Sequence, residues 1–80
     1  MKFVYLLESI AQPEQTYVGL TDNVQFRLDA HNAGLSSHTA KFKPWRLVSY
    51  VAFTDEKKAI AFEKYLKSHS GRAFANKRLR

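Results

Sequence analysis

Phe3-Val4-Tyr5 and Tyr17-Val18-Gly19 are the two stretches on which the reading of this chain turns. Each is a short apolar run that carries a tyrosine. Eleven residues separate them, including Ser9, Gln12, Pro13, Glu14 and Gln15, a polar and turn-prone set. Each run reads as a strand, and the pair as a β-hairpin with a medium-length loop. Antiparallel pairing about the middle of that loop lets Tyr5 and Tyr17 face each other on one side of the sheet. Gly19 leaves that face open as the strand ends, which suits either the close approach of another group or a bulge.

Working outward, residues 2–8 form the first expected strand, with Phe3, Tyr5 and Leu7 on one face and Val4 and Leu6 on the other. Residues 16–20 form the second. Thr21 or Asp22 is a suitable N-cap for a helix through about residue 32, closed by Gly34 at C′. Its apolar positions are Val24, Leu28 and Ala30, with Phe26 to one side. Residues 35–45 read as irregular, and Pro44 biases Lys43 away from helix. Residues 46–53 are β-branched and aromatic enough for a third strand. A second helix follows, capped by Thr54 and running to about residue 68, with Ala59, Phe62 and Leu66 as its core stripe. Ser70 and Gly71 then interrupt, and residues 72–79 form a short basic helix anchored by Phe74 and Leu79. The expected fold is α+β, a small three-stranded, mostly antiparallel sheet flanked by helices in the order β-β-α-β-α-α.

Eighty residues make one domain, 1–80, with a small core. The absence of cysteine excludes a disulfide framework, thiolate metal sites and a cysteine nucleophile. The start of the chain opens like a signal peptide, but its apolar run stops at Glu8, so it reads as a strand. With no run long enough to span a bilayer, the expectation is a cytoplasmic protein without membrane attachment. Net charge is +6, from 13 Lys and Arg against 7 Asp and Glu. Acid-free basic segments at 38–46 and 64–80 look more like a binding face for a polyanion than like scattered surface charge. Lys41, Lys43, Arg46, Lys67, Arg72 and Lys77 are the expected nucleic-acid contacts, with DNA ahead of RNA.

The candidate chemistry lies on the two helices beside the hairpin. Arg27 and His31 are four apart and project from one helical face. A guanidinium can clamp a phosphate with two parallel bonds, or pair with an acid. His31 can serve the helix dipole, or orient or deprotonate a nucleophile. Glu63 falls at the edge of the core stripe, where a carboxylate costs desolvation unless it is paired or binds a cation. Lys64 and Lys67 offer it local partners, and a hard divalent metal is the other reading. No phosphate-loop glycines, His/Cys metal pattern or serine-nucleophile motif is present.

Taken together these residues resemble the GIY-YIG nuclease family, in particular its short stand-alone members. The two triplets at their spacing, Arg27 and His31 on the next helix, Glu63 and then Asn76 follow its pattern across nearly the whole chain. The run Leu66-Lys67-Ser68-His69-Ser70-Gly71-Arg72, followed by Phe74 and Asn76-Lys77, is similar to their C-terminal pattern. Phe3 and Val4 depart from the family's glycine and isoleucine. The resemblance implies a phosphodiesterase cutting nucleic acid with one divalent cation, Mg²⁺ or Mn²⁺. It implies that Tyr5 or His31 activates the nucleophile and that Tyr17 is hydrogen-bonded in the same site. Arg27 would stabilise phosphate charge, Glu63 would bind the metal, and Asn76 would position metal or substrate.

The leading expectation is therefore a metal-dependent endonuclease acting on DNA, branched or single-stranded, with a link to DNA repair. A nucleic-acid-binding module that has lost turnover is the second reading. A small protein-interaction domain, using Phe42 and Trp45, is the third. An unidentified protein partner and the oligomeric state are left open.

Overall fold

Lys2–Ser9 (β1) is apolar on both faces, and this makes it the central strand. Val4 and Leu6 point to one side of the sheet and Tyr5 and Leu7 to the other, none more than 3% exposed. The computed structural model describes residues 1–80, and the remaining elements are Thr16–Thr21 (β2), Val24–Asn32 (α1), Ser37–Ala40 (α2), Trp45–Phe53 (β3), Glu56–Leu66 (α3) and His69–Arg78 (α4). The three strands order as β2-β1-β3, antiparallel throughout. A solvent-facing strand would alternate apolar and polar residues. β1 does not, because helices cover it on both sides.

On one side α3 and α4 supply Ala59, Leu66 and Ala75 against Val4 and Leu6, with Val18, Leu20, Val48, Phe53, Phe62 and Leu79 around them. On the other, α1, the segment before β3 and the first residue of β3 supply Val24, Leu28, Phe42 and Trp45 against Tyr5 and Leu7. A bulge in the pairing of β1 with β3 opposes Leu6 to Ser49 and Leu7 to Leu47, leaving Val48 as the extra residue. It lets Phe53 pack with the first cluster beside Val48, an odd number of positions away, while Leu47 and Trp45 pack with the second. No helix is long and apolar enough to cross a membrane.

The element order and sheet match the sequence-based expectation, and several boundaries differ for local reasons. α1 is capped by Asn23, whose side chain accepts from the Phe26 N–H, rather than by Thr21 or Asp22. Gly34 does close it, at a φ of 79° that L-residues rarely adopt. Within the stretch expected to be irregular, residues 37–40 form the short α2. α3 is capped by Asp55, not Thr54, and ends at Leu66. α4 begins at His69, capped by Ser68, so Gly71 lies inside it rather than interrupting. A Cβ at Gly71 would collide with the Tyr65 carbonyl where α4 folds back on α3. The buried anchor of α4 is Ala75, with Leu79 packed beside it, whereas Phe74 is exposed.

The register also corrects the expected tyrosine pairing. Tyr5 sits opposite Gly19, and Leu7 opposite Tyr17. The two phenols are thus diagonal neighbours on one face, ring centroids 6.2 Å apart. Tyr5 lies across Gly19, where an added Cβ would come within 2.7 Å of Tyr5 Cε1 and closer still to its hydroxyl end. Gly19→Ala should destabilise the fold by about 1–3 kcal/mol, the usual range for overpacking a fixed core group. Urea denaturation checks this, and an unchanged midpoint would show that the Tyr5 ring is free to move aside.

Candidate active site

The site face of the sheet carries a buried polar chain of unusual continuity. The Tyr5 hydroxyl meets His31 Nε2 at 2.9 Å, and His31 Nδ1 meets Thr39 Oγ1 at 2.8 Å. Tyr5, His31 and Thr39 are 2%, 1% and 1% exposed. Thr39 Oγ1 lies 3.4 Å from the Ser36 carbonyl, to which only the hydroxyl proton can be donated. That direction makes Thr39 accept from His31 Nδ1–H and leaves Nε2 to accept from the Tyr5 hydroxyl. Each side-chain polar atom of Tyr5, His31 and Thr39 then has a partner, as burial requires.

Local structure explains why these groups meet. His31 lies in the last turn of α1, and the left-handed Gly34 swings the chain so that α2 returns over it. Thr39 is held in turn by Trp45, whose indole Nε1–H donates to the Thr39 carbonyl at 2.9 Å. Asn32 clamps the start of β3 from α1, its Oδ1 accepting from Trp45 N–H and its Nδ2 donating to the Trp45 carbonyl at 3.0 Å. Strand, helix and loop are locked together around one imidazole.

Electrostatics keep this chain neutral. Burial, and then the nearby Arg27 guanidinium, hold His31 below its ordinary 6.5. Burial is also the main reason the Tyr5 phenol is raised above 10.0. Arg27 opposes that rise, while Tyr17 and Glu63 add to it. Glu63 stands on α3, and its effect on Tyr5 places its carboxylate within electrostatic reach of the phenol.

Tyr17 joins the buried chain to the solvent. Its half-buried ring lies 4.9 Å from His31 and 6.4 Å from His38, centroid to centroid. The same ring lines a cleft of about 580 Å³, together with Gln15, Thr16, His38, Lys67, Arg72, Asn76 and Arg80. That cleft carries three permanent cations against one carboxylate, Glu14.

The family profile that matches, over residues 1–78, is the GIY-YIG catalytic domain. The chain belongs to the GIY-YIG family. A UPF0213 protein of Lactiplantibacillus plantarum is 33% identical over 76 residues, covering 91% of this chain and 74% of that protein. The structure-specific endonuclease subunit SLX1 of Debaryomyces hansenii is 39% identical over 67 residues, 75% of this chain. The chain spans only 19% of that SLX1 protein's length. The solution NMR structure of a UPF0213 protein from Bacillus halodurans superposes with a TM-score of 0.57 at 28% identity, covering 96% of this chain and 84% of that one.

Within this GIY-YIG domain the expected site residues fall into two groups. Tyr5, Tyr17 and His31 touch, with Arg27 and Glu63 in electrostatic range of Tyr5. Asn76 stands apart in the cleft, where it accepts from Arg80 at 3.1 Å. Glu63 is 23% exposed and paired with Lys67 at 3.1 Å. No three His, Asp or Glu side chains gather as a metal cluster. A single carboxylate with water and phosphate is nonetheless a sufficient donor set for Mg²⁺.

Of the expected nucleic-acid contacts, Lys67 and Arg72 line the cleft. Lys41, Lys43 and Lys77 are exposed and do not line it. Arg46 is engaged with Glu8 at 2.6 Å. Trp45 is 3% exposed and is core rather than a stacking surface, and Phe42 packs on it. His38, Thr39 and Arg80 were not among the expected site residues. Only the Ser-Ser-His-Thr run after Gly34 hinted at the first two, since hydroxyl residues beside a turn favour local capping.

Lowering the pH should test the neutral imidazole. The unfolded chain takes up a proton on His31 near 6.5, whereas the folded chain does so only at lower pH. Stability is therefore fully present above that value and falls as pH drops below it. Urea unfolding from about pH 7.5 to about 5.5 should show this slope in the wild type and a shallower one in His31→Gln. Equal slopes would mean that His31 protonates in the folded chain as freely as in the unfolded one.

Proposed function

We propose that this domain is a divalent-metal-dependent endonuclease that hydrolyses phosphodiester bonds in DNA. The observation that carries the reading is the buried Tyr5–His31–Thr39 chain leading to Tyr17 at the wall of a basic cleft. Membership of the GIY-YIG family and similarity to a protein named as a structure-specific endonuclease subunit support the same reading.

The geometry suggests a proton path. A water that attacks phosphorus must lose a proton as its oxygen bonds. The Tyr5 oxygen can accept that proton while passing its own to His31 Nε2, 2.9 Å away. Thr39 holds the ring and accepts from Nδ1 throughout, so the imidazolium that forms keeps both N–H donors partnered. His31 is neutral at rest, which leaves Nε2 free to receive. Arg27, whose charge already acts on Tyr5 and His31, supplies the cation against which negative charge on the phosphoryl oxygens develops. Lys67 and Arg72 hold the flanking backbone.

Glu63 is the residue that would hold Mg²⁺ or Mn²⁺. When bound, such an ion supplies Lewis-acid stabilisation of phosphoryl charge. Lys67 shares that carboxylate in the absence of metal, so a cation and the lysine compete for it.

Nicking of plasmid, duplex, flap and single-stranded DNA, with RNA in parallel, tests the proposal. Cutting should require Mg²⁺ or Mn²⁺ and stop with EDTA. Tyr5→Phe should lower the rate by about 10²–10⁴-fold, the usual range for a lost acid–base path. Glu63→Gln should abolish cutting and preserve binding or strengthen it, because Lys67 is released. Tight, salt-sensitive binding without cutting of any substrate would favour a module that only binds nucleic acid.

A further inference from the structure

The Asn76 amide is oriented by a group that the proposed chemistry does not use. Arg80 Nη1 donates to Asn76 Oδ1 at 3.1 Å. A guanidinium has donors only, so the atom facing it must be the amide oxygen and not the nitrogen. Asn76 Nδ2 has no partner within the protein, and the residue lines the cleft. Arg80 is itself fixed at its other nitrogen, which donates to Glu8 Oε2 and, at 2.8 Å, to the Pro13 carbonyl. Glu8 is only 12% exposed at its side chain and also receives Arg46. One guanidinium thus ties together β1, the β1–β2 loop and the last turns of α4.

We infer that Arg80 is a positioning residue that occupies the Asn76 carbonyl and turns the Asn76 NH₂ group into the cleft as a donor to a phosphate oxygen. The inference rests on the nuclease reading and sharpens it. With its oxygen already engaged, Asn76 serves the substrate and not a metal ion. Arg80 acts through Asn76 and through the loop wall, not as a phosphate contact of its own, because its charge is spent on Glu8.

The test uses the full chain with a fluorescent DNA oligonucleotide, reading binding without divalent metal and cleavage with Mg²⁺. Arg80→Gln and Arg80→Lys should both lower kcat/KM by about 10- to 100-fold, below the range for losing an oxyanion donor outright. A lysine keeps the charge but cannot span three acceptors, so wild-type activity in Arg80→Lys would overturn the inference in favour of charge alone. In an Asn76→Ala background Arg80→Gln should cost little more, and additive losses would show that Arg80 acts independently of Asn76. The dependence of log affinity on log salt should be unchanged in Arg80→Gln, whereas a direct phosphate contact would make it shallower by about one unit. Asn76→Asp, which keeps the acceptor for Arg80 and loses the donor, should weaken metal-free binding and leave the Mg²⁺ concentration for half-maximal cutting unmoved. A shift in that Mg²⁺ requirement with unchanged binding would make Asn76 a metal ligand instead. Thermal unfolding of each variant separates these effects from loss of fold. A wild type that neither binds nor cuts DNA removes the nuclease reading and this inference with it. A wild type that cuts beside an equally active Arg80→Gln overturns the inference alone.

Discussion

The hydrogen bond between the Tyr5 hydroxyl and His31 Nε2 joins the middle of the sheet to the helix packed on it. Two polar groups buried this deeply are costly alone and tolerable together, so each fixes the position of the other. The rest of the site face follows from satisfying them. The second ring nitrogen needs Thr39, Thr39 needs the α2 turn, and the α2 turn is held by the Trp45 indole. Gly19 clears the space through which the phenol reaches. A tyrosine that is simultaneously core and polar centre ties the packing of the sheet to the candidate site.

Strand and helix order were legible in the sequence because residues 2–8 and 46–53 are short apolar runs rich in β-branched and aromatic residues, and the Ala59–Phe62–Leu66 stripe has a helical period. The helix starts were less so. Asn23 competes with Asp22, Asp55 with Thr54 and Ser68 with Ser70 two positions on, and only the backbone decides which side chain closes on the next turn. The tyrosine register escaped because loop length fixes it only to within a residue or two, and the chain chose the pairing that set Gly19 under Tyr5. Arg27, His31 and Glu63 were nameable by residue type and spacing. Thr39 was not, since a threonine becomes a histidine's partner only when a loop folds back in three dimensions. Trp45 invited a surface role because of its basic neighbours. Its burial shows that a tryptophan beside lysines can still be the most apolar anchor available.

The positive charge of the chain is not uniformly free. Glu8 takes two arginines and its carboxyl is held below the ordinary 4.5, first by Arg80 and then by Arg46. Glu63 takes Lys67. With their cations still partly in solvent, such pairs add little to stability. Their effect is on distribution, since they neutralise cations in some places and leave others, such as Arg72 in the cleft, without an acidic partner.

The extra residue at Val48 also has a bearing on how this domain can vary. Side chains along a strand alternate sides, so the bulge sets the phase of everything on its N-terminal flank. Removing one residue there would turn Leu47 and Trp45 toward α3 and α4 and carry the indole away from Thr39. The imidazole would then lose its support without any site residue having been changed. Tolerance to insertion and deletion in β3 is accordingly unequal. The stretch after the bulge answers mainly to the apolar core, whereas the stretch before it keeps the Trp45 indole beside Thr39 and His31 on the opposite side of the sheet.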